Sequence, residues 1–385
     1  MKWIGGLVAV VVLAALAYVH WILPGQVESG KNVNLPHEPY VVSERAAELH
    51  KTLFVADLHS DSLLWKRDLL ERSDIGHMDL PRLRDGNVAL QVFSATTKSP
   101  KGLNYESNDA ESDDITLLAV ASFWPPRTWN SVYERAVYQL EKLQDLTEHS
   151  NLILIRSKQD MHELVALRAH GEPDIGAVYL IEGAHPLEGK LENLDQLFEQ
   201  GLRIVGLTHF FDNELGGSLH GLSGEGLNDF GLSVVRRANE LGLIIDIAHA
   251  SPRMVAEVLE MSNSPVILSH GGIKGTCDTA RNLDDSLMQE MAKRGGLVGI
   301  GFWDAAVCDV TPAGVVKSIR YAIDLMGLEH VALGSDYDGS TAVTFDVGEL
   351  PVLTQAMLDA GFTEPEIRAV MGENVKRFLL ENLPD

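Results

Sequence analysis

From Leu53 onward the chain alternates between two hydrophobic patterns. Short, continuous apolar runs rich in β-branched residues occupy 53–56, 88–93, 177–181, 204–207, 243–247, 265–268, 297–301 and 331–334. Runs that short, interrupted by a polar side chain only at Gln91 and Asp246, predict strands covered on both faces, as in a parallel sheet. Between several of them the apolar positions fall at helical spacing instead, as in 252–261, 283–293 and 313–326. Ser251-Pro252 supplies an N-cap followed by a proline at the first helical position. Gly295-Gly296 and Gly327 close two helices. Eight strands with crossover helices predict an α/β chain folded as a (β/α)8 TIM-type barrel. A doubly wound open sheet is the alternative.

The amino end breaks the rhythm. Residues 3–23 are apolar apart from His20, with Trp3, Tyr18 and Trp21 near the two ends and Lys2 in front. About 20 apolar residues cross a bilayer, and aromatic residues favour its interfaces. Residues 1–24 are therefore expected to be a transmembrane anchor or signal segment, with the amino terminus in the cytoplasm and the rest outside. The length of the run favours a retained anchor. Ala15-Leu16-Ala17 resembles a cleavage site and leaves secretion after cleavage as the alternative. Residues 25–45, polar with Gly and Pro, read as a linker, and 46–385 as the barrel domain.

Composition changes this picture in two places. Hydrophobic and charged fractions of 45% and 22% suit a packed domain, but the net charge of −24 argues against a nucleic-acid partner, which needs clustered cations. Cys277 and Cys308 are the only cysteines. They exclude a disulfide framework and a Cys-rich zinc site. A single bridge stays open in an oxidising compartment, although nothing in the spacing demands it.

Residues able to bind metal follow the predicted strands directly. His59 and Asp61 follow the first run, Glu182 the third, His209 the fourth, His249 the fifth, His270 the sixth and Asp336 the eighth. A barrel gathers strand C-termini on one face, whereas an open sheet spreads them along an edge. Imidazole and carboxylate donors suit Zn²⁺ and related divalent ions. Two ions roughly 3.5–4 Å apart, with Glu182 offering an oxygen to each, could share a hydroxide that attacks an amide carbonyl. Each residue also has a plainer reading: a lone histidine as a hydrogen-bonding residue, Asp61 and Asp336 as helix N-caps, Glu182 as half of an ion pair. All of these would have to hold independently at one end of successive strands. The remaining histidines, His220 among them, read as surface or structural; His185 lies close to the site without binding metal, and Asp246 is placed either to orient His249 or to serve as a buried structural residue.

At these residues the chain resembles the membrane (renal) dipeptidase family. The resemblance is carried by Asp57-Leu58-His59-Ser60-Asp61, Ile181-Glu182-Gly183, Leu207-Thr208-His209 and Asp246-Ile247-Ala248-His249. Leu268-Ser269-His270, Ala280-Arg281-Asn282 and Gly334-Ser335-Asp336-Tyr337-Asp338-Gly339 extend it. It implies a zinc-dependent dipeptidase with two metal ions, His59 and Asp61 on one, His249 and His270 on the other, Glu182 bridging. It further implies that Asp336 shuttles the proton to the leaving amine and that His209 stabilises the oxyanion. Arg281 would grip the free carboxylate of the dipeptide, as a planar guanidinium does well; the plainer reading pairs it with Asp284 or Asp285.

Acceptance of carboxyl-side D-residues follows from the resemblance, and some members open β-lactam rings. Two departures stand out: Leu58 replaces a usual glycine, and the loop 210–220 differs from the mammalian pattern. Those members are held by a carboxyl-terminal lipid, so the expected tether here is the amino-terminal segment, on the periplasmic side of a bacterial inner membrane. A homodimer is among the assemblies this leaves open. Rival readings are a lactonase or cyclic amidase on a related binuclear barrel, and a non-catalytic binding barrel. The first is weakened by Asp61 and Glu182 standing where such enzymes use His and a carboxylated Lys; the second by the full set of ligands.

Overall fold

The computed structural model describes residues 2–385; the side chains of Lys2 and Trp3, which carry part of the expected membrane orientation, lie outside the described residues. Eight parallel strands pair in chain order: β1 (Val55–Ser60), β2 (Val88–Thr96), β3 (Ile175–Glu182), β4 (Leu202–Gly206), β5 (Ile244–Asp246), β6 (Ile267–Gly271), β7 (Leu297–Ile300) and β8 (Val331–Leu333). Leu333 of β8 then pairs with Asp57 of β1, and the sheet closes. The barrel is the expected one, and the open-sheet alternative falls.

Each strand is buried along its whole length, which is why continuous apolar runs marked them. Leu58, Leu90, Val92, Val178, Leu180, Ile204 and Ile267 form one buried cluster that includes Phe378 of the carboxyl-terminal helix Asn374–Asn382. Ser251 caps the helix Pro252–Met261 by accepting from the Met254 amide, as its sequence predicts. Two additions were not among the expected strands. Leu152–Leu154 pairs with the start of β3, and Val33–Asn34 pairs with Ala342–Val343.

The linker expected over 25–45 is corrected. Helix Lys2–Ala17 passes through a π turn at Tyr18–Ile22 into a further helix, Leu23–Lys31. Pro24 has no amide hydrogen and would leave the His20 carbonyl without its helical partner. Lys66 Nζ donates to that carbonyl instead, so the proline is absorbed rather than ending the helix. Glu28, buried in the second segment, accepts from Arg67 Nε at 2.5 Å. Residues 25–34 therefore belong to the folded body, and within the expected linker only 35–43 lack helix or strand. Leu7–Lys31 is long and apolar enough to cross a membrane.

Cys277 and Cys308 form a disulfide with their Cα atoms 5.5 Å apart. The loop after β6 and the turn after the short helix Asp304–Val307 meet there, a proximity that spacing along the chain cannot reveal. Closing a loop of 31 residues restricts the unfolded chain by about 3–4 kcal/mol. Replacing both cysteines with serine should lower unfolding stability by roughly that amount, measured by denaturant titration; unchanged stability would remove the bridge from the fold's support.

Candidate metal centre

Four imidazoles converge on one carboxylate at the carboxyl end of the barrel. Glu182 ends β3, and its Oε1 lies 3.2 Å from His249 Nε2, 3.3 Å from His270 Nε2 and 3.6 Å from His59 Nε2. Its Oε2 lies 3.3 Å from His209 Nε2. Asp61 Oδ1 stands 3.8 Å from His59 Nε2, and Asp336 shares a cluster with His59 and His270. All seven residues expected at the strand ends are thus brought together, and all are buried. Gly183 permits the close approach: its φ is +78°, and a Cβ there would stand 2.3 Å from the His185 ring.

The plainer readings fail on contacts. Asp61 precedes a short helical turn but makes no capping hydrogen bond. Among the described residues no Lys or Arg pairs with Glu182. Asp284 pairs with Lys274 at 3.0 Å and Asp285 accepts from Tyr321 at 2.6 Å, so neither neutralises Arg281. Arg281 is buried beside the centre, donates from Nη2 to the His270 carbonyl at 2.7 Å, and lies over the Trp303 ring. A buried guanidinium without a carboxylate is costly unless an anion completes it.

Two buried Asp–Ser pairs hold the frame, and sequence reasoning assigned neither. Ser269 Oγ donates to Asp246 Oδ2 at 2.5 Å. It lies 3.1 Å from His59 Nδ1 and 2.9 Å from His270 Nδ1. Both Nδ1 atoms meet on this one oxygen, so each ring turns its Nε2 toward Glu182. Asp246 therefore positions His59 and His270 through Ser269, not His249 as expected. Its other oxygen accepts from the Ala248 and Ser269 amides. Asp57 repeats the device, accepting from the Ser335 amide at 2.8 Å and its hydroxyl at 2.6 Å, just before Asp336. The signal was present as repeated syntax: an Asp two or three residues before a His, and a Ser immediately before His270 or Asp336. Thr96 Oγ1, 2.9 Å from both Asp61 Oδ1 and Glu182 Oε2, was also missed.

His185 is buried with neither ring nitrogen hydrogen-bonded among the described residues, near the site as expected but outside the convergent set. His220 is buried, the structural of its two expected placements, stacked on Phe210 and edge-on to His249.

Backbone strain falls on the same spot. His249, Asp336 and Asp338 adopt φ of 60°, 59° and 63°, a left-handed conformation that costs non-glycine residues about 1–3 kcal/mol each. The His249 carbonyl accepts from Thr208 Oγ1 and the Leu219 amide, and the Asp336 carbonyl from Thr341 Oγ1 and the Gly339 amide. These bonds hold both residues in place.

The electrostatics suit a cation. Burial depresses His249 and His270 well below the ordinary histidine range, helped by Arg281 and, for His270, by His59, so both keep free lone pairs. Burial works against the His59 imidazolium too, but Glu182, Asp61 and Asp336 outweigh it and hold the ring up at about 10. Burial, together with Asp61 and Glu182, pushes Asp336 well above the usual carboxylate range. His59 Nε2 is buried without a hydrogen-bond partner among the described residues, facing acids at distances too long for a direct bond. His249 and His270 Nε2 stand 3.0 Å apart, two acceptors converging on one region. The donor set fits divalent metal.

The family model described as membrane dipeptidase (Peptidase family M19) matches residues 43–382. Dipeptidase aclJ of Aspergillus oryzae is 27% identical over 354 residues, 84% of this chain and 77% of that protein. An uncharacterized dipeptidase of Schizosaccharomyces pombe is 28% identical over 390 residues, 96% of this chain and 88% of that one. Two solved structures share the fold. The probable dipeptidase PvdM from Pseudomonas aeruginosa superposes with a TM-score of 0.73 at 18% identity, covering 88% of this chain and 98% of that one. A metallo peptidase from Rhodobacter sphaeroides, liganded with a phosphinate mimic of the dipeptide L-Ala-D-Ala, gives 0.68 at 23%, covering 86% and 99%.

Because Ser269 orients two imidazoles at once, Ser269→Ala should weaken divalent-metal affinity by roughly 10–100-fold while the barrel stays folded. Competition with a chromophoric chelator reads this directly; parental affinity would mean that the rings are held by something else.

Proposed function

This chain belongs to the membrane dipeptidase family, and from that premise we propose that it is a zinc-dependent dipeptidase working on the outer side of a membrane. Metal-dependent cleavage of a dipeptide's amide bond follows from the family. The observation that carries the substrate reading is Arg281, a buried cation without a carboxylate partner, beside a cluster of carboxylates and imidazoles. A free carboxylate is the anion that a guanidinium fork pairs with best. Fixed at that distance from the centre, it selects substrates whose cleaved bond lies one residue from the chain end.

His59 and Asp61 would hold one ion and His249 and His270 the other, with Glu182 shared; the nitrogen and oxygen donors suit zinc. When bound, the ions supply Lewis acidity that activates water and polarises the amide carbonyl. Asp336, beside the same centre, would be kept as carboxylate by the bound cations and could then take a proton from the attacking water and give it to the departing amine nitrogen. His209 Nε2, opposite Glu182 Oε2, stabilises negative charge developing on the amide oxygen. The buried surroundings strengthen both interactions.

Localisation rests on two features. The apolar helix ahead of the packed segment Leu23–Lys31 supports a membrane tether, and the Cys277–Cys308 bridge supports an oxidising compartment such as a bacterial periplasm. The L-Ala-D-Ala mimic held by the Rhodobacter sphaeroides enzyme supports a carboxyl-side D-residue.

Asp336→Asn should keep its metal by elemental analysis and lose about 10²–10⁴-fold in kcat; near-parental turnover would take Asp336 off the proton path. Arg281→Met should raise KM about 10–100-fold for free dipeptides, the scale of charged hydrogen bonds. Amidated dipeptides should respond far less. Equal effects on both substrates would remove Arg281 from carboxylate recognition.

A further inference from the structure

The helix Leu23–Lys31 is a wall of the catalytic cavity. Leu23, Pro24 and Val27 line the same space, about 600 Å³, as Asp61, Glu182, Arg281 and Asp336. That volume suits a drug-sized ligand and exceeds what two small residues require. Leu64, Leu103, Leu117 and Leu118 add further aliphatic lining, and Lys31 at the end of the helix is the one cation the helix contributes. Val27, Leu103 and Leu117 are 37%, 38% and 65% exposed, an unusual concentration of water-facing aliphatic surface around a buried polar centre.

The wall is fixed in place. Glu28 pairs with Arg67, and Arg67 pairs in turn with Asp338. Asp338 also accepts from Ser62 Oγ at 2.5 Å and the His77 amide at 2.6 Å. The helix is thereby geared to the turn that carries Asp336. Lys66 on the His20 carbonyl and His20 stacked on Phe123 hold its approach. Cleavage after Ala17 would leave all of these contacts intact, so the wall persists whether or not the apolar segment is retained.

Arg281 comes from the loop after β6, whereas the aliphatic wall comes from the amino-terminal helix and the loops after β1 and β2. We propose that a dipeptide with its carboxylate on Arg281 and its amide at the centre turns its amino-side residue toward that wall, and that the helix Leu23–Lys31 is thereby a specificity element that selects dipeptides with a large aliphatic or aromatic amino-side residue. The proposal rests on the dipeptidase reading.

The test uses the full-length, metal-loaded chain and two dipeptides that differ only in their amino-side residue, Phe or Gly. The parent should favour the Phe substrate in kcat/KM by at least tenfold. Val27→Asp and Leu117→Asp should each reduce that ratio about tenfold or more. A parent without the preference, or a ratio unchanged in both variants, overturns the proposal. If one variant fails to fold by circular dichroism, the other decides. Turnover of neither dipeptide by the metal-loaded parent would instead overturn the dipeptidase reading, and the selectivity proposal with it.

Discussion

The structure turns on one electrostatic constraint: three carboxylates, Asp61, Glu182 and Asp336, are buried among histidines whose free nitrogens point at them. Burying like charges together is unfavourable unless cations stand between them. Much of the surrounding architecture can be understood as the means of holding that arrangement. The Asp246–Ser269 and Asp57–Ser335 pairs lock ring and backbone orientation from beneath. The left-handed His249 and Asp336 are strained positions kept by hydrogen bonds to their own carbonyls. The closed barrel makes the convergence possible, because only closure brings the ends of β1, β3, β4, β5, β6 and β8 to one mouth.

The centre and the amino-terminal helix are continuous parts of one machine. Asp338 is two residues beyond Asp336 and carries the Arg67 guanidinium that also holds Glu28. A segment expected to be largely linker is thus packed into the wall of the catalytic cavity. The disulfide acts from the other side, tying the loop that carries Arg281 to the segment after β7. Both devices stiffen loops that a barrel alone would leave free.

How far the sequence could be read depended on the range of the interaction involved. The eight strands were legible because burial on both faces leaves a continuous apolar run, and the site residues because they follow those runs at once. Leu152–Leu154 escaped because three residues flanked by polar chain carry little signal. The polar composition of 25–34 misled because what folds that stretch is distant in sequence: Arg67 holds Glu28, and Ala342–Val343 pairs with Val33–Asn34. The role of Ser269 was hidden for a similar reason: a serine before a histidine is unremarkable until Asp246 and His59 are seen to share its hydroxyl.

The central claim is that these convergent side chains cage a pair of divalent ions. The most direct measurement is a crystal structure of the metal-loaded protein with diffraction recorded across the zinc absorption edge. The account predicts two anomalous peaks about 3.5–4 Å apart, both within bonding distance of Glu182, with His59 on one and His270 on the other. A single peak away from Glu182, or none in protein supplied with excess metal, would contradict it.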